Sequence, residues 1–265
     1  RVRRAASAEC RTSELTLAEF KTLRGKIDAF DPAAQTLEQF VAPRRAPRAD
    51  LGAGLAYGTL VTHAESIALF KRLGVRMMPE LKEASVRLPF NGVTRDELRQ
   101  KLIDEYRAAG VPPSDVFPQS FERRDVDYWI EHEPEYGKQA MLLDNVVFAP
   151  RAGRLRSYKA AGINIWGPAL PGVLDLDGEG RIVPSRAAHA ARAAGLDIIT
   201  WTLERSGDLS ARNKGFYYRT IGSAVTREGD VLRVVDVLAR DVGVRGVFSD
   251  WPATVSFYAG CAGLP

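Results

Sequence analysis

One unit recurs along the chain: an amphipathic helix that ends at Gly, followed at once by a short apolar strand that stops at polar or aromatic residues. Copies run over residues 70–82, 158–166, 191–201 and 238–250, and 106–121 holds one with a longer connection. A Gly directly after a helix accepts the left-handed conformation that ends it, and the apolar run then enters a sheet. Helices that alternate with continuously apolar strands are typical of a parallel sheet buried on both faces.

This repetition favours a (β/α)8 TIM-type barrel over a doubly wound sheet, as a single α/β domain over residues 1–265. The pattern predicts six strands, at about 75–80, 115–119, 139–143, 163–166, 197–202 and 246–249. It predicts helices at roughly 63–73, 95–109, 122–133, 154–161, 185–194 and 230–241, with a last one after Pro252.

Two strands of a closed eight-stranded barrel are then unaccounted for. Within residues 1–60 the best helix begins at Thr16, which forms a capping-box pattern with Glu19, whereas 42–58 is rich in Pro, Arg, Gly and Ala and is predicted to be loop. We therefore expect the first two strands to lie upstream of residue 1.

Charge, apolar runs and cysteine content limit the classes of function that the sequence supports. The chain has 265 residues, 37 basic and 33 acidic, and the two signs are interspersed, so the net charge of +4 gives little support to nucleic-acid binding. No apolar run approaches the roughly 20 residues that span a bilayer, and no signal peptide is visible. Cys10 and Cys261 match no metal-site spacing; a mutual disulfide, pairing with another cysteine and free thiols all remain open.

Active-site residues of such a barrel lie at the carboxyl ends of its strands. The residues predicted at these ends are Glu80, Lys82, Gln119, Asp144, Trp166, Trp201, Glu204 and Asp250. Side chains alternate along a strand, so Glu80 and Lys82 are predicted to point together into the barrel mouth. A carboxylate and an ammonium suit a divalent cation and a phosphate, respectively. The plainer interpretation is a surface ion pair. His63, His132 and His189 fall on helices, where exposed or packing roles are expected.

In order along the chain, segments 12–23, 59–69, 78–82, 119–121, 200–202 and 248–252 resemble the glycerophosphodiester phosphodiesterase family. The most specific motifs are Pro-Glu-Leu-Lys at 79–82, Gln-Ser-Phe at 119–121 and Trp-Thr at 201–202. The resemblance implies metal-dependent hydrolysis of glycerophosphodiesters to an alcohol and glycerol 3-phosphate, with Ca²⁺ or Mg²⁺ as cofactor and a small-molecule diester as partner.

By the same resemblance Glu80 is a metal ligand, Lys82 contacts the substrate phosphate, and Gln119, Trp201 and Trp166 line the substrate pocket. The long connection 203–229 is similar to those of larger secreted or periplasmic bacterial members, so we expect an exported protein. The family's His-Arg-Gly, Glu-x-Asp and His-Asp motifs do not occur in this sequence. Both catalytic histidines are accordingly expected before residue 1. Glu204 stands where many relatives have Asn.

Three alternatives remain open at this stage. One is a non-catalytic family member that binds phosphodiesters or lipid headgroups, because it has no catalytic histidines. Another is a lipase similar to sphingomyelinase D. The third is a glycoside hydrolase barrel with Glu80 and Glu204 as its carboxylate pair, against which the neighbouring Lys82 and the Gln-Ser-Phe motif both count.

Overall fold

The computed structural model describes residues 11–26, 35, 36, 38, 39, 57–145, 152–205, 209–212 and 214–264, and all statements below concern these. The helices are α1 Leu17–Thr22, α2 His63–Leu73, α3 Arg95–Ala108, α4 Arg123–His132, α5 Pro134–Gly137, α6 Ala152–Ala160, α7 Arg186–Ala193, α8 Val231–Asp236, which continues as a π-helix over Val237–Val242, and α9 Pro252–Ala262. The strands are β1 Arg24–Lys26, β2 Tyr57–Thr59, β3 Gln119–Ser120, β4 Met141–Asp144, β5 Ile165–Pro168, β6 Leu174–Leu176, β7 Ile182–Pro184, β8 Asp197–Thr200 and β9 Gly246–Val247.

The helix ends follow the predicted signals. Helix α2 begins after Thr62, whose hydroxyl accepts from the backbone N–H of Glu65 in a capping box, and it ends at Gly74 in the left-handed conformation with φ of 65°. The capping box predicted at Thr16 and Glu19 is present at the start of α1. These contacts satisfy backbone groups that a helix end leaves unpaired, which explains why the boundaries were readable from local sequence.

The main sheet is parallel, as predicted, and follows chain order: β3, β4, β5, β8, β9. Gln119 pairs with Met141, which pairs with Ile165, which pairs with Asp197; Ile199 then pairs with Gly246. The first predicted strand makes two parallel bridges to the next unit, Met77 to Val116 and Glu80 to Gln119. We call residues 77–80 the first segment of the sheet.

The described residues do not close this sheet into a ring. Its order is open, and no described residue pairs β9 with the first segment. The region before residue 60 contributes β1, which pairs antiparallel with β2 rather than joining the parallel sheet. The closure of the barrel, the number of its strands and the position of the first two strands therefore remain predictions.

Side-chain alternation separates two hydrophobic clusters. An inner cluster on one face of the sheet consists of Phe117, Met141, Leu143, Ile165 and Ile199, with Met78, Trp201 and Phe248 packed against it. A larger outer cluster lies between the other face and the helices, and its fully buried members include Trp129, Leu155 and Trp166. Two separate cores, one inside the curved sheet and one beneath the helices, are the packing that a barrel requires.

Apolar surface is left uncovered at the two ends of the sheet. On and after α2, the first helix beside the sheet, Leu73 is 62% exposed and Val75 49%, while Phe257 on α9 is 62% exposed. A cavity of about 300 Å³ is lined from both ends, by Met77 and Met78 of the first segment and by Val247 and Phe248 at β9. The apolar interior therefore opens between the first segment and β9.

Two smaller findings complete the fold. Among the described helices, none is both long enough and apolar enough to cross a lipid bilayer. Cys261 is exposed and forms no disulfide with another described residue, whereas Cys10 lies outside the described part of the chain.

Candidate functional site

The mouth of the curved sheet is formed by side chains that extend the inner cluster beyond the strand ends. Glu80 follows Met78 by two residues, Gln119 follows Phe117 and Trp201 follows Ile199, and all three partners belong to or pack on that cluster. Because side chains two apart on a strand point the same way, Glu80, Gln119 and Trp201 face the interior at its carboxyl end.

Glu80 and Lys82 lie together, as the two-residue spacing predicted. The Lys82 Nζ atom is 2.9 Å from Glu80 Oε2. The Glu80 side chain is 24% exposed and that of Lys82 is 77% exposed, so the carboxylate sits in the mouth and the ammonium at its rim. The pair places a carboxylate oxygen and an exposed positive charge within reach of one bound molecule.

Gln119 carries a polar atom without a partner. The residue is 4% exposed, and its Nε2 donates to the backbone carbonyl of Met78 at 3.2 Å. Its Oε1 atom is buried and accepts no hydrogen bond from any described residue. Since a buried amide oxygen without a donor is costly, this atom is available to a ligand, a cation or water in the mouth.

Aromatic rings form one wall of the mouth. The Trp201 indole N–H donates to the carbonyl of Gly167 at 2.8 Å, which holds the ring in place. Phe121 and Tyr217 meet it edge to face, with centroid distances of 5.6 Å and 5.8 Å. Alternation from Gln119 would have found Phe121 in the sequence; no local signal indicates Tyr217, which reaches the wall from the long connection after β8.

Trp166 does not lie in this mouth, so its predicted place on the pocket wall is wrong. It is fully buried in the outer cluster, and its indole N–H donates to Asp144 Oδ2 at 3.1 Å. The reason is alternation: Ile165 belongs to the inner cluster, so its neighbour must point to the helices. Asp144 faces the same way and is the buried partner of this tryptophan.

Glu204 and Asp250 belong to one hydrogen-bonded corner beside the mouth. Glu204 accepts from the Ser249 hydroxyl at 2.6 Å and from the Asp250 backbone N–H at 2.9 Å. Asp250 pairs with Arg205 at 2.9 Å. Burial raises the pKa of Glu204 above its ordinary value, against the lowering effect of the two hydrogen bonds. Both Glu204 oxygens are engaged in holding the β9 end, which is a structural role.

All three histidines lie on helices, as expected. His63 Nδ1 is 2.8 Å from Glu105 Oε2, and the ring packs edge to face on Tyr106. His132 stacks on Tyr128 with centroids 4.4 Å apart. His189 lies within α7. None belongs to the mouth, and the described residues hold no group of three or more His, Cys, Asp or Glu side chains arranged for a metal ion.

A second cavity lies beside the mouth. It measures about 600 Å³ and is lined by Phe121, Arg123, Asp144, Arg154 and Tyr158 among others. It shares Phe121 with the aromatic wall but contains neither Glu80 nor Lys82. Because the Glu80–Lys82 pair lies in the mouth of the sheet, we take that mouth as the candidate site.

Comparison with known proteins identifies a relative. No protein-family profile matches the chain. An "Extracellular protein" from the fungus Arthroderma benhamiae is 44% identical over 246 residues, which cover 90% of this chain and all of the fungal sequence. The chain belongs to the family of this fungal extracellular protein. Identity of that level over that length fixes a common fold for the two proteins.

Comparison with solved structures places the chain in a known fold. A "Putative glycerophosphoryl diester phosphodiesterase" from Silicibacter pomeroyi superposes with a TM-score of 0.63 at 19% identity, over 98% of this chain and 73% of its own. A glycerophosphodiester phosphodiesterase from Parabacteroides distasonis is less similar, with a TM-score of 0.49 at 13% identity over 81% of this chain and 71% of its own. The first similarity establishes the fold: the parallel α/β sheet is of the TIM-barrel type.

Proposed function

We propose that this protein acts on glycerophosphodiesters, hydrolysing them to an alcohol and glycerol 3-phosphate with the help of a divalent cation. The observation that carries the proposal is the Glu80–Lys82 pair, 2.9 Å apart at the carboxyl end of the parallel sheet. The fold shared with the Silicibacter pomeroyi protein, whose name gives this activity, supports it.

The mouth suits the diester chemically. Lys82 is largely exposed, so its ammonium can meet a phosphate as a point charge. Glu80 and the unpartnered Gln119 Oε1 are hard oxygen donors of the kind that Ca²⁺ and Mg²⁺ prefer. They are two of the about six to eight oxygens that Ca²⁺ takes. Substrate, water or residues outside the described chain would supply the rest.

A bound divalent ion would stabilise the negative charge that develops on the phosphoryl oxygens. The chain's own residues then have distinct tasks. Lys82 holds the phosphate, and the Trp201 wall excludes water from one side of the alcohol leaving group. Hydrolysis also needs a base to take a proton from water and an acid to give one to the departing alkoxide, because the P–O bond to the alcohol breaks as the bond to water forms.

A second candidate function has its own supporting observation. No histidine of this sequence reaches the mouth: His63 pairs with Glu105, His132 stacks on Tyr128, and His189 lies within α7. The residues described at the mouth offer cation and phosphate contacts without an acid–base pair. This favours a protein that binds phosphodiesters or lipid headgroups and does not cleave them.

One experiment decides between the two functions. The purified protein is incubated with glycerophosphocholine and Ca²⁺ or Mg²⁺, with and without EDTA, and released glycerol 3-phosphate is measured. Hydrolysis that EDTA abolishes supports the enzyme. If no product forms, calorimetric titration with the same diester follows. Binding then supports the non-catalytic candidate, and absence of both product and binding overturns both.

We also propose that the protein is exported, as the name of the Arthroderma benhamiae relative suggests for that protein. Expression of the full gene in a fungal host, with immunodetection in medium and cell lysate, tests this. Accumulation in the medium is the expected result, and retention in the lysate contradicts it.

A further inference from the structure

The backbone that carries Glu80 and Lys82 is held by the described sheet on one side only. The first segment makes two isolated parallel bridges to its neighbour and, among described residues, has no strand on its other side. Its last ladder contact is the Leu81 N–H, which donates to the Gln119 carbonyl at 2.9 Å. Beyond that point the described strands reach this backbone only through the Ser120 hydroxyl of β3, which donates to the Leu81 carbonyl at 3.2 Å.

An arginine of helix α3 forms hydrogen bonds with the backbone at this point. Arg95, the first residue of α3, donates from Nη1 to the Lys82 carbonyl at 2.7 Å and from Nη2 to the Leu81 carbonyl at 3.3 Å. A guanidinium is planar and presents its N–H groups in a fixed fork, so it can hold two successive carbonyls at once. The contact fixes the backbone between the Glu80 and Lys82 side chains.

Arg95 is in turn held by a buried carboxylate. Asp125 on α4 is fully buried, and it accepts from Arg95 Nε at 3.1 Å and also from Arg95 Nη2. Arg99 Nε donates to the same carboxylate at 2.7 Å, and the Ser120 hydroxyl donates to it at 2.7 Å. Such a network is satisfied on every side, which is what makes a buried charge tolerable and rigid.

We propose that Arg95, oriented by Asp125, is a positioning residue for the phosphate-binding Lys82 and its partner Glu80. The carbonyls accept hydrogen bonds from the start of α3 and the end of β3, and Asp125 at the start of α4 holds both donors. The Lys82 side chain is 77% exposed and pairs with Glu80, so its placement depends on its backbone. The inference rests on the proposed phosphate site and adds how that site is held in place.

The test compares Arg95→Lys with the wild type. Lysine keeps the charge but lacks the fork, so it cannot hold Asp125 and both carbonyls together. Arg107→Lys is the matched control, because Arg107 lies on the same helix and pairs with Asp104 and Glu133 away from the mouth. Glycerol 3-phosphate is titrated into each protein by calorimetry, and hydrogen exchange is followed at amides 81–84.

We expect Arg95→Lys to weaken glycerol 3-phosphate binding about tenfold or more, the factor that about 1.4 kcal/mol produces, and to speed exchange at amides 81–84, while Arg107→Lys changes neither. Wild-type affinity together with wild-type exchange in Arg95→Lys overturns the proposal. If the wild type itself binds no glycerol 3-phosphate, the proposed function fails. The hydrogen-exchange data alone then test whether Arg95 holds the backbone at residues 81 and 82. Unchanged protection in Arg95→Lys would show that it does not.

Should Arg95→Lys fail to fold, Ser120→Ala replaces it. That variant removes one donor to Asp125 and a hydroxyl 3.2 Å from the Leu81 carbonyl, but leaves both arginines in place. Faster exchange at 81–84 with a smaller loss of affinity is expected. Unchanged exchange and affinity in Ser120→Ala would overturn the proposal in the same way.

Discussion

The middle of the parallel sheet and its first edge are built differently. Strand β4 pairs along all four residues with β5, also pairs with β3, and is buried throughout. The first segment has backbone hydrogen bonds on one side and, among the described residues, no strand on the other, yet it carries Glu80 and Lys82. The middle is paired on both sides, whereas the edge is paired on one side and is also contacted by the Arg95–Asp125 network from the helices. The candidate site thus lies at the described edge of the sheet, where side chains add to the order that backbone hydrogen bonds supply.

The largest expected effect tests the support of the edge. Asp125→Ala leaves Arg95 and Arg99 without their shared buried carboxylate, and breaking such a pair costs about 3–5 kcal/mol. Urea unfolding followed by circular dichroism measures the change. A loss below about 1 kcal/mol, the scale of a surface pair, would mean that the network does not support the edge.

The Asp125 network also predicts how the stability of the protein changes at acid pH. Burial pushes the pKa of Asp125 up, but hydrogen bonds from Arg95, Ser120 and Arg99 outweigh it, and the pKa lies below its ordinary value. A carboxyl with a lowered folded-state pKa stabilises the protein above its unfolded pKa, near 3.9, and loses this contribution as pH falls through the folded value. Asp125→Asn should therefore flatten the acid limb of the stability curve; an unchanged limb contradicts the assignment.

The middle of the sheet should respond to lost packing instead. Ile165 is fully buried in the inner cluster, and Ile165→Ala should cost about 2–5 kcal/mol through lost burial and the cavity left behind. Leu73→Ala, at a side chain 62% exposed beside the sheet edge, is the control and should stay within about 0.5 kcal/mol. Equal losses of unfolding free energy in the two variants, measured by urea unfolding, would contradict the difference between the middle and the edge of the sheet.

Glu204 should give a smaller, pH-dependent effect of opposite sign. Burial raises its folded-state pKa, so the folded protein holds this proton more tightly than the unfolded chain. Its contribution is fully present below the unfolded pKa, near 4.3, and is lost as pH rises through the folded value. The melting temperature, measured in steps of about one pH unit between pH 4 and 7, should fall less steeply with pH in Glu204→Gln than in the wild type. An identical decline would place Glu204 in solvent.

The smallest stability change is expected at the candidate site itself. Glu80→Gln breaks a partly exposed ion pair, which is worth about 0–1 kcal/mol. The same variant should lose most Ca²⁺ or Mg²⁺ binding, measured by calorimetry, because an amide oxygen carries no charge. Glu131→Gln, at an exposed glutamate on α4, serves as a control because it makes the same change of charge. Cation binding that survives Glu80→Gln would remove Glu80 from the proposed metal site.

Much of the architecture was readable from local patterns. Helix α2 spans the predicted 63–73, since Thr62, Glu65 and Gly74 mark both ends within the segment itself. The order of parallel units is also confirmed, because each helix–Gly–strand copy signals its own place in the sheet. The strands proved shorter than predicted: β9 covers Gly246–Val247 against 246–249. Strand ends depend on a neighbour's register, which no local window contains.

Some residues of the candidate site were likewise predictable from the sequence, and others were not. Alternation put Glu80 and Lys82 on one side of a strand, and the structure has them paired. It would also have sent Trp166 to the helices, had the register of β5 been known. Phe121 was within reach of the same argument, but Tyr217 was not, because it arrives from a connection of irregular backbone.

By itself, the sequence determined the alternation of helices and strands, the parallel sheet and the spacing that brings Glu80 beside Lys82, because each is set by backbone and side-chain preferences over a few residues. Tertiary structure alone decided that Arg95, held by Asp125 30 positions away, donates to the carbonyls of Leu81 and Lys82. It also decided which face of β5 meets the interior. Contacts between distant residues depend on the packing of whole elements, and that packing is a property of the assembled sheet and helices.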